Sequence, residues 1–322
     1  MYGMVDRAQY EELWRELVEM HPREHHTYFI EHKKRFYELF DHMAYFLQDF
    51  PTPRVAEIGL SGFTRLYTQF FPHIRFATID RPVERYGTNA SFGLEQCHAE
   101  NHYNIDLNHE SLSPTWGTPP LGVFDYIIFC EVLEHLTVNP VQLLEELLSI
   151  LSPNGYLYLT TPNFFSLHHL QQIARRENPQ YVFPRRGEDK YASHHFREYS
   201  MPELLSFVEE AGGQVVKACY SDCWHDERAK QALESYPELR SNLVIVTARA
   251  GAKVKKDEYS PVDLTQRPPV DLSEITRRDS DANNDIETVQ KVEIARLRAL
   301  VSAYEKGRFM RLMKWLHERG LS

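Results

Sequence analysis

The sequence predicts an α/β architecture built on a doubly wound, mostly parallel sheet. Three observations carry this expectation. From residue 54 onward, short apolar runs alternate with helical patterns, which is the signature of right-handed βαβ units. One run, Tyr126 to Cys130, is apolar throughout, as a strand buried on both faces requires. Successive runs end in ionisable groups: Asp80, Asp106, then Glu131, Glu134 and His135. The carboxyl edge of an open parallel sheet is where ligands bind.

Residues 1–50 form a helical lead-in. Tyr10, Leu13, Leu17 and Met20 recur at helical spacing, and after Pro22 so do Phe29, Phe36, Leu39, Phe40, Met43 and Phe46. Pro51-Thr52-Pro53 opens the central domain, residues 51–250. Arg54 to Gly59 reads as the first strand and Thr64 to Phe71 as a helix. Ile74 to Ile79, ending in Asp80, is the second strand, and Tyr103 to Ile105, ending in Asp106, is the third. Phe124 to Cys130 is the fourth. Asn139 starts a helix with a broad leucine face, which Pro153-Asn154-Gly155 is expected to stop. Tyr156 to Thr161 is the fifth strand. Residues 162–200 break the alternation as an insertion rich in arginine and histidine, and a stretch this long without secondary structure is usually functional. Met201 to Ala211 is a helix, and Val215 to Tyr220 and Leu243 to Ala248 are strands. Residues 251–285 have linker composition, and residues 286–322 read as a long amphipathic helix.

Composition narrows the function classes. Aromatic content of 12% and hydrophobic content of 42% suffice for a packed core. A net charge of -10 disfavours nucleic acid as the main partner, although a local basic surface is compatible with it. The N-terminus lacks an apolar core of signal-peptide length, and no stretch is long enough to span a membrane. Cys97, Cys130, Cys219 and Cys223 are scattered, so a reducing cytoplasm is the expected location. Cys219, Cys223 and His225 are poorly spaced for zinc and lack a fourth ligand.

Glu57-x-Gly59-x-x-Gly62 follows a strand and precedes a helix. Its glycines allow backbone to approach a ligand. Ser61 replaces the usual middle glycine, and Glu57 would repel a pyrophosphate, so the motif suits a cofactor with a positive end. Asp80, 18 residues past Gly62, is placed to accept from ribose hydroxyls, and Asp106 from an adenine amino group.

With these motifs the chain, over about residues 54–249, resembles a class I S-adenosylmethionine-dependent methyltransferase. The residues are Val-Ala-Glu-Ile-Gly-Leu-Ser-Gly, Thr-Ile-Asp80, Asn-Ile-Asp106-Leu, the run Phe124 to Leu136, and Leu-Ser-Pro-Asn-Gly-Tyr-Leu-Tyr-Leu-Thr-Thr-Pro-Asn. The resemblance implies a Rossmann-like sheet of seven strands with the last antiparallel. It implies that Glu57, Gly59 and Gly62 line the methionine part of S-adenosyl-L-methionine, Asp80 the ribose and Asp106 the adenine. Cys130 and Glu131 would then border the cofactor, with Glu134 and His135 facing the acceptor.

Methyl transfer to a hydroxyl needs alignment and a proton acceptor. His195, His135 and Glu134 are the candidate catalytic groups. Glu131, Glu134 and His135, at i, i+3 and i+4, would share one side of a helical turn. With His195 they would suit Mg2+ or Mn2+; the alternative is a hydrogen-bond network that holds no ion. Ubiquinone-type O-methyltransferases carry a similar Glu-Val-x-Glu-His run, and methyltransferases of small-RNA 3′ ends a similar run with a later histidine. The lead-in, His195-Phe-Arg-Glu-Tyr and the segment Tyr304 to Leu316 resemble bacterial methyltransferases associated with surface-polysaccharide biosynthesis.

The expected function is therefore O-methylation of a saccharide or saccharide-linked acceptor, with a small molecule or glycan as partner. A metal-dependent RNA 2′-O-methyltransferase and a non-catalytic scaffold are the alternatives. The basic loop holding Arg175, Arg176, Arg185, Arg186 and Lys190 would suit an anionic acceptor. Residues 286–322 would serve a homo-oligomer seam or a contact with the inner face of a membrane, or pack back on the domain.

Overall fold

A computed structural model describes residues 2–21, 26–82, 98–112, 122–180, 182–183, 194–222, 233–234 and 236–255. The chain divides into two compact units, Met1–Pro268 and Pro269–Ser322. The helix expected over 286–322, most of the linker, and Arg185, Arg186, Lys190, Cys97, Cys223 and His225 lie outside the described residues.

Seven strands form one sheet: β1 (Arg54–Ile58), β2 (Arg75–Asp80), β3 (Asn101–Asn104), β4 (Phe124–Cys130), β5 (Leu151–Pro162), β6 (Gly213–Ser221) and β7 (Asn242–Arg249). Their spatial order is β3-β2-β1-β4-β5-β7-β6. β7 runs antiparallel to both of its neighbours, and the other described pairings are parallel. The expected doubly wound, Rossmann-like architecture is the one observed, and the strand order reverses between β1 and β4.

Six helices of the described residues cover the sheet: α1 (Arg7–Met20), α2 (His26–Leu47), α3 (Thr64–Phe70), α4 (Pro140–Ser149), α5 (Leu167–Ala174) and α6 (Met201–Glu210). Side chains of a strand alternate between faces, and β4 shows the result. Its Ile127 and Phe129 join a core with Leu143, Leu144 and Leu204 of α4 and α6. Its Tyr126 and Ile128 join the opposite core, with Phe36, Phe40 and Tyr67 of α2 and α3. All four β4 side chains are fully buried, so a continuous apolar run is what this position demands. No helix among the described residues is long and apolar enough to cross a membrane.

Three expectations are corrected. The third strand sits earlier, at Asn101–Asn104, because Asn104 is the residue that pairs with Asp80, and Asp106 stands in the turn beyond it. Pro153-Asn154-Gly155 does not stop the helix, which has already ended at Ser149. It lies inside β5, as a bulge that sets five residues of β5 against two of β4. Gly155 is required there, since a Cβ would lie 2.8 Å from the Phe124 carbonyl oxygen. The insertion is also less irregular than its composition suggests. Ser166 caps α5 within it, by accepting from the His169 amide.

The N-terminal helices belong to the same body as the sheet. Phe36 of α2 stacks on Phe63 with ring centres 3.8 Å apart. Tyr10 donates to the Lys33 carbonyl, and the Trp14 indole donates to that of Phe29. The backbone of residues 2–5 is held by one side chain. The fully buried Asp41 carboxylate accepts backbone N–H bonds from Tyr2, Gly3, Met4 and Val5. Removing it orphans these donors, so Asp41→Ala should lower the unfolding free energy by about 2–3 kcal/mol. The urea midpoint checks this, and an unchanged midpoint would refute it.

Candidate active site

A cavity of about 780 Å³ opens at the carboxyl ends of β1 and β4, beside the point where the strand order reverses. Its floor is Glu57, Gly59, Leu60 and Ser61 after β1, with Cys130, Glu131 and Val132 after β4. Tyr28, His32, Arg35 and Phe36 of α2 form one wall. Glu134, His135, His195, His168, His169 and Glu198 face them from the insertion side.

The turn after β1 explains both the acid and the serine of the motif. Glu57 is 3% exposed. It accepts from Thr64 Oγ1 at 2.5 Å and from Tyr67 OH and Ser61 Oγ at 3.2 Å each. Ser61 thus supplies a donor that glycine lacks. Burial still pushes the Glu57 carboxyl up, to about 8. Gly59 sits at φ +80°, and a Cβ there would lie 2.5 Å from Val132 Cγ2. Gly62 is not among the residues that line the cavity; it makes room for Phe29, whose Cε1 would lie 2.6 Å from an added Cβ.

Asp80 and Asp106 also lie outside the cavity wall. Asp80 accepts from the Leu60 and Arg81 amides, and burial raises its pKa. Asp106 is buried and accepts from the Asn108 amide in its own turn.

Glu131 departs from the arrangement expected at i, i+3 and i+4. Its φ is +54°, in the left-handed region, so the residues around it do not form one continuous helical turn. Its carboxylate accepts from Thr160 Oγ1 at 2.7 Å and from Asn242 Nδ2 at 2.9 and 3.0 Å. Arg35 Nη1 lies 3.2 Å away. Cys130, just before it, is half-buried on the cavity wall, and desolvation raises its thiol pKa.

Glu134, His135 and His195 do come together, each offering a ligand atom within 4.8 Å of the others. Glu131 is not part of that group. A 3-10 turn, Leu133–His135, presents the first two. The insertion returns His195 between two hydrogen bonds: the Phe196 amide donates to the Glu134 carbonyl at 2.7 Å, and the His135 side chain donates from Nδ1 to the His194 carbonyl at 2.9 Å. Donation from Nδ1 leaves the lone pair of a neutral His135 on Nε2, 3.8 Å from Glu134 Oε1. Burial lowers the His135 pKa and pushes that of Glu134 well up, with Glu131 adding to the latter. Glu134 Oε2 accepts from Thr161, whereas Oε1 is buried with no hydrogen-bond partner.

Sequence reasoning missed Arg35, which is 8% exposed. The available signal was an arginine within the apolar stripe of α2, one residue from Phe36 and four from Leu39. It also missed Thr160 and Asn242, which pairing across β5 and β7 brings to Glu131. Nothing local in the sequence marks those two.

The strand order and the cavity at its switch point define a methyltransferase-type α/β fold. The family described as "methyltransferase domain" matches residues 31–218, and the chain belongs to it. A mitochondrial ubiquinone biosynthesis O-methyltransferase of Dictyostelium discoideum is 24% identical over 168 residues, 51% of this chain and 46% of that protein. The chain thus spans about half the length of that curated relative. Among solved structures, an S-adenosylmethionine-dependent methyltransferase of Mesorhizobium loti is 15% identical. It aligns with a TM-score of 0.43, over 63% of this chain and 94% of its own. The N-methyltransferase NodS of Bradyrhizobium japonicum is 16% identical, with a TM-score of 0.41 over 68% of this chain and 97% of its own.

Two predictions follow from the β1 turn. Gly59→Ala should cost about 1–2 kcal/mol from the left-handed backbone alone, plus the clash with Val132; adding Val132→Ala should recover only the clash. Urea midpoints of the single and double variants decide it, and an unchanged Gly59→Ala midpoint would refute it. For Glu57, the raised folded value means that the folded protein keeps a proton that the unfolded chain loses between pH 4.5 and about 8. Its contribution therefore makes stability fall as pH rises through that window. Glu57→Gln should flatten this part of the stability curve, and an identical slope in both proteins would exclude the assignment.

Proposed function

We propose that the protein transfers a methyl group from S-adenosylmethionine to a hydroxyl of a saccharide or saccharide-linked acceptor. The observation that carries the reading is the cavity at the switch point, with Arg35 on one wall and Glu57 and Glu131 on its floor. That donor set fits the zwitterionic, sulfonium-bearing end of the cofactor. Arg35 would take the carboxylate, and Glu131 would face the positive groups. The volume lies in the range of small-molecule sites. When bound, the cofactor supplies an electrophilic methyl group and its own leaving group.

The residues of this chain then have three tasks. Phe36 and Tyr28 of α2 exclude water from the cofactor side. His168, His169, Asn163, Ser166 and Gln171 offer polar groups that suit a polyhydroxylated acceptor. His195 and His135 are placed to accept the hydroxyl proton, and the lowered pKa of His135 keeps it neutral near pH 7.

A second reading, that a divalent cation assists, is favoured by one specific observation. The His135 Nε2 lone pair and the buried, unbonded Glu134 Oε1 lie 3.8 Å apart. Either a proton kept by Glu134, whose pKa burial raises, or a cation would satisfy them. Glu134, His135 and His195 would hold an ion such as Mn2+ or Mg2+, whose chemistry would be to lower the hydroxyl pKa and fix its oxygen.

Calorimetry with S-adenosylhomocysteine should show binding that Arg35→Ala weakens at least tenfold. Radiolabelled methyl transfer across a panel of glycans and sugar nucleotides should reveal an acceptor, with His195→Ala losing 100-fold or more in turnover. Absence of binding by the intact protein would sink the methyltransferase reading. Turnover unaffected by chelators, with no Mn2+ binding by electron paramagnetic resonance, would remove the cation.

A further inference from the structure

Glu198, in the insertion, is a carboxylate that neither reading above uses. Its side chain is 9% exposed and lines the cavity. Its Oε1 lies 2.8 Å from His195 Nδ1. Its Oε2 lies 3.3 Å from Nδ1 of His169, whose hydrogen bond goes instead to the Phe164 carbonyl at 3.1 Å. One carboxylate thus meets two histidines of the cavity wall, one from α5 and one from the returning segment of the insertion. The surrounding backbone is pinned: Phe164 N donates to the Tyr199 carbonyl, and Ser200 caps α6 in a reciprocal box with Glu203. Glu198 therefore sits on a framework that holds its position independently of the two rings.

A carboxylate on Nδ1 selects one form of a histidine. It accepts the Nδ1 hydrogen and leaves the Nε2 lone pair for chemistry or for an ion, as carboxylate–histidine pairs do in many sites. The His195 ring stands 4.8 Å from that of His135, nearly perpendicular to it. Its identity as base or ligand therefore depends on which nitrogen carries hydrogen.

We propose that Glu198 is a positioning residue: it locks His195 in the Nδ1–H tautomer and draws His169 into the same wall, so that both rings present a defined nitrogen to the acceptor. What Nε2 then does rests on the methyl-transfer reading, whereas the tautomer lock does not.

The test uses the full chain labelled with 15N-histidine. Long-range proton–nitrogen correlation spectra, assigned with His195→Asn, should show neutral His195 as the Nδ1–H form in the wild type. Glu198→Gln should shift it towards the Nε2–H form, and Glu198→Asp should keep most of the wild-type pattern. In transfer assays on whichever acceptor the panel reveals, Glu198→Gln should lower kcat 10–100-fold and leave S-adenosylhomocysteine affinity within twofold. An Nε2–H His195 in the wild type overturns the proposal, even if the variants fail to fold. So does an unchanged tautomer in Glu198→Gln. Failure of the wild type to bind S-adenosylhomocysteine would instead strike the methyl-transfer reading and leave the tautomer result standing.

Discussion

Four elements of the molecule meet at the Glu131 carboxylate. Arg35 reaches it from α2, Thr160 from β5 and Asn242 from β7, while Glu131 itself ends β4. A residue other than glycine at φ +54° carries a steric cost, and such outliers persist only where their surroundings over-determine them. Here a partly buried ion pair and three hydrogen bonds do so. The consequence reaches further than the bond count. Arg35 fixes where the lead-in crosses the sheet edge, and so where Tyr28, His32 and Phe36 close the cavity. The left-handed step at Glu131 also redirects the chain into the 3-10 turn that points Glu134 and His135 to the other side.

The two sides of the cavity obey different electrostatics. On the side of the β1 turn the buried carboxyl is satisfied locally: Glu57 has three hydroxyl donors, and Ser61 is one of them. On the insertion side, charge is left unresolved. Glu134 keeps one bare oxygen beside a neutral histidine, and Glu198 keeps one oxygen without a hydrogen bond. Buried polar atoms normally find partners, and these two oxygens are exceptions to that rule. His32, driven down to about 3 by burial and by Arg35, is a contrasting case. It is simply a neutral wall residue.

Much of the fold was legible in the residue pattern, because it rests on local rules. An apolar run with full burial on both faces specifies a central strand, and strands alternating with helices specify a parallel sheet. The errors arose where a tertiary contact overrode a local signal. Pro153-Asn154-Gly155 has turn chemistry, yet pairing with β4 absorbs it as a bulge. Glu131, Glu134 and His135 have helical spacing, but a single positive φ, which no sequence interval reveals, separates the first from the other two.

From the sequence alone came the sheet class, the acids at the strand ends, and the nearness of Glu134 and His135, since each follows from residue type and spacing; His195 was joined to them by resemblance to known methyltransferases. The tertiary structure alone decided the partners: Arg35, Thr160 and Asn242 on Glu131, and Glu198 on His195 and His169. Most of those partners lie far apart along the chain, and even Glu198, three residues from His195, is committed to it only by the way the insertion folds back. Hydrogen bonds depend on distance and angle in space, and spacing along the sequence carries neither.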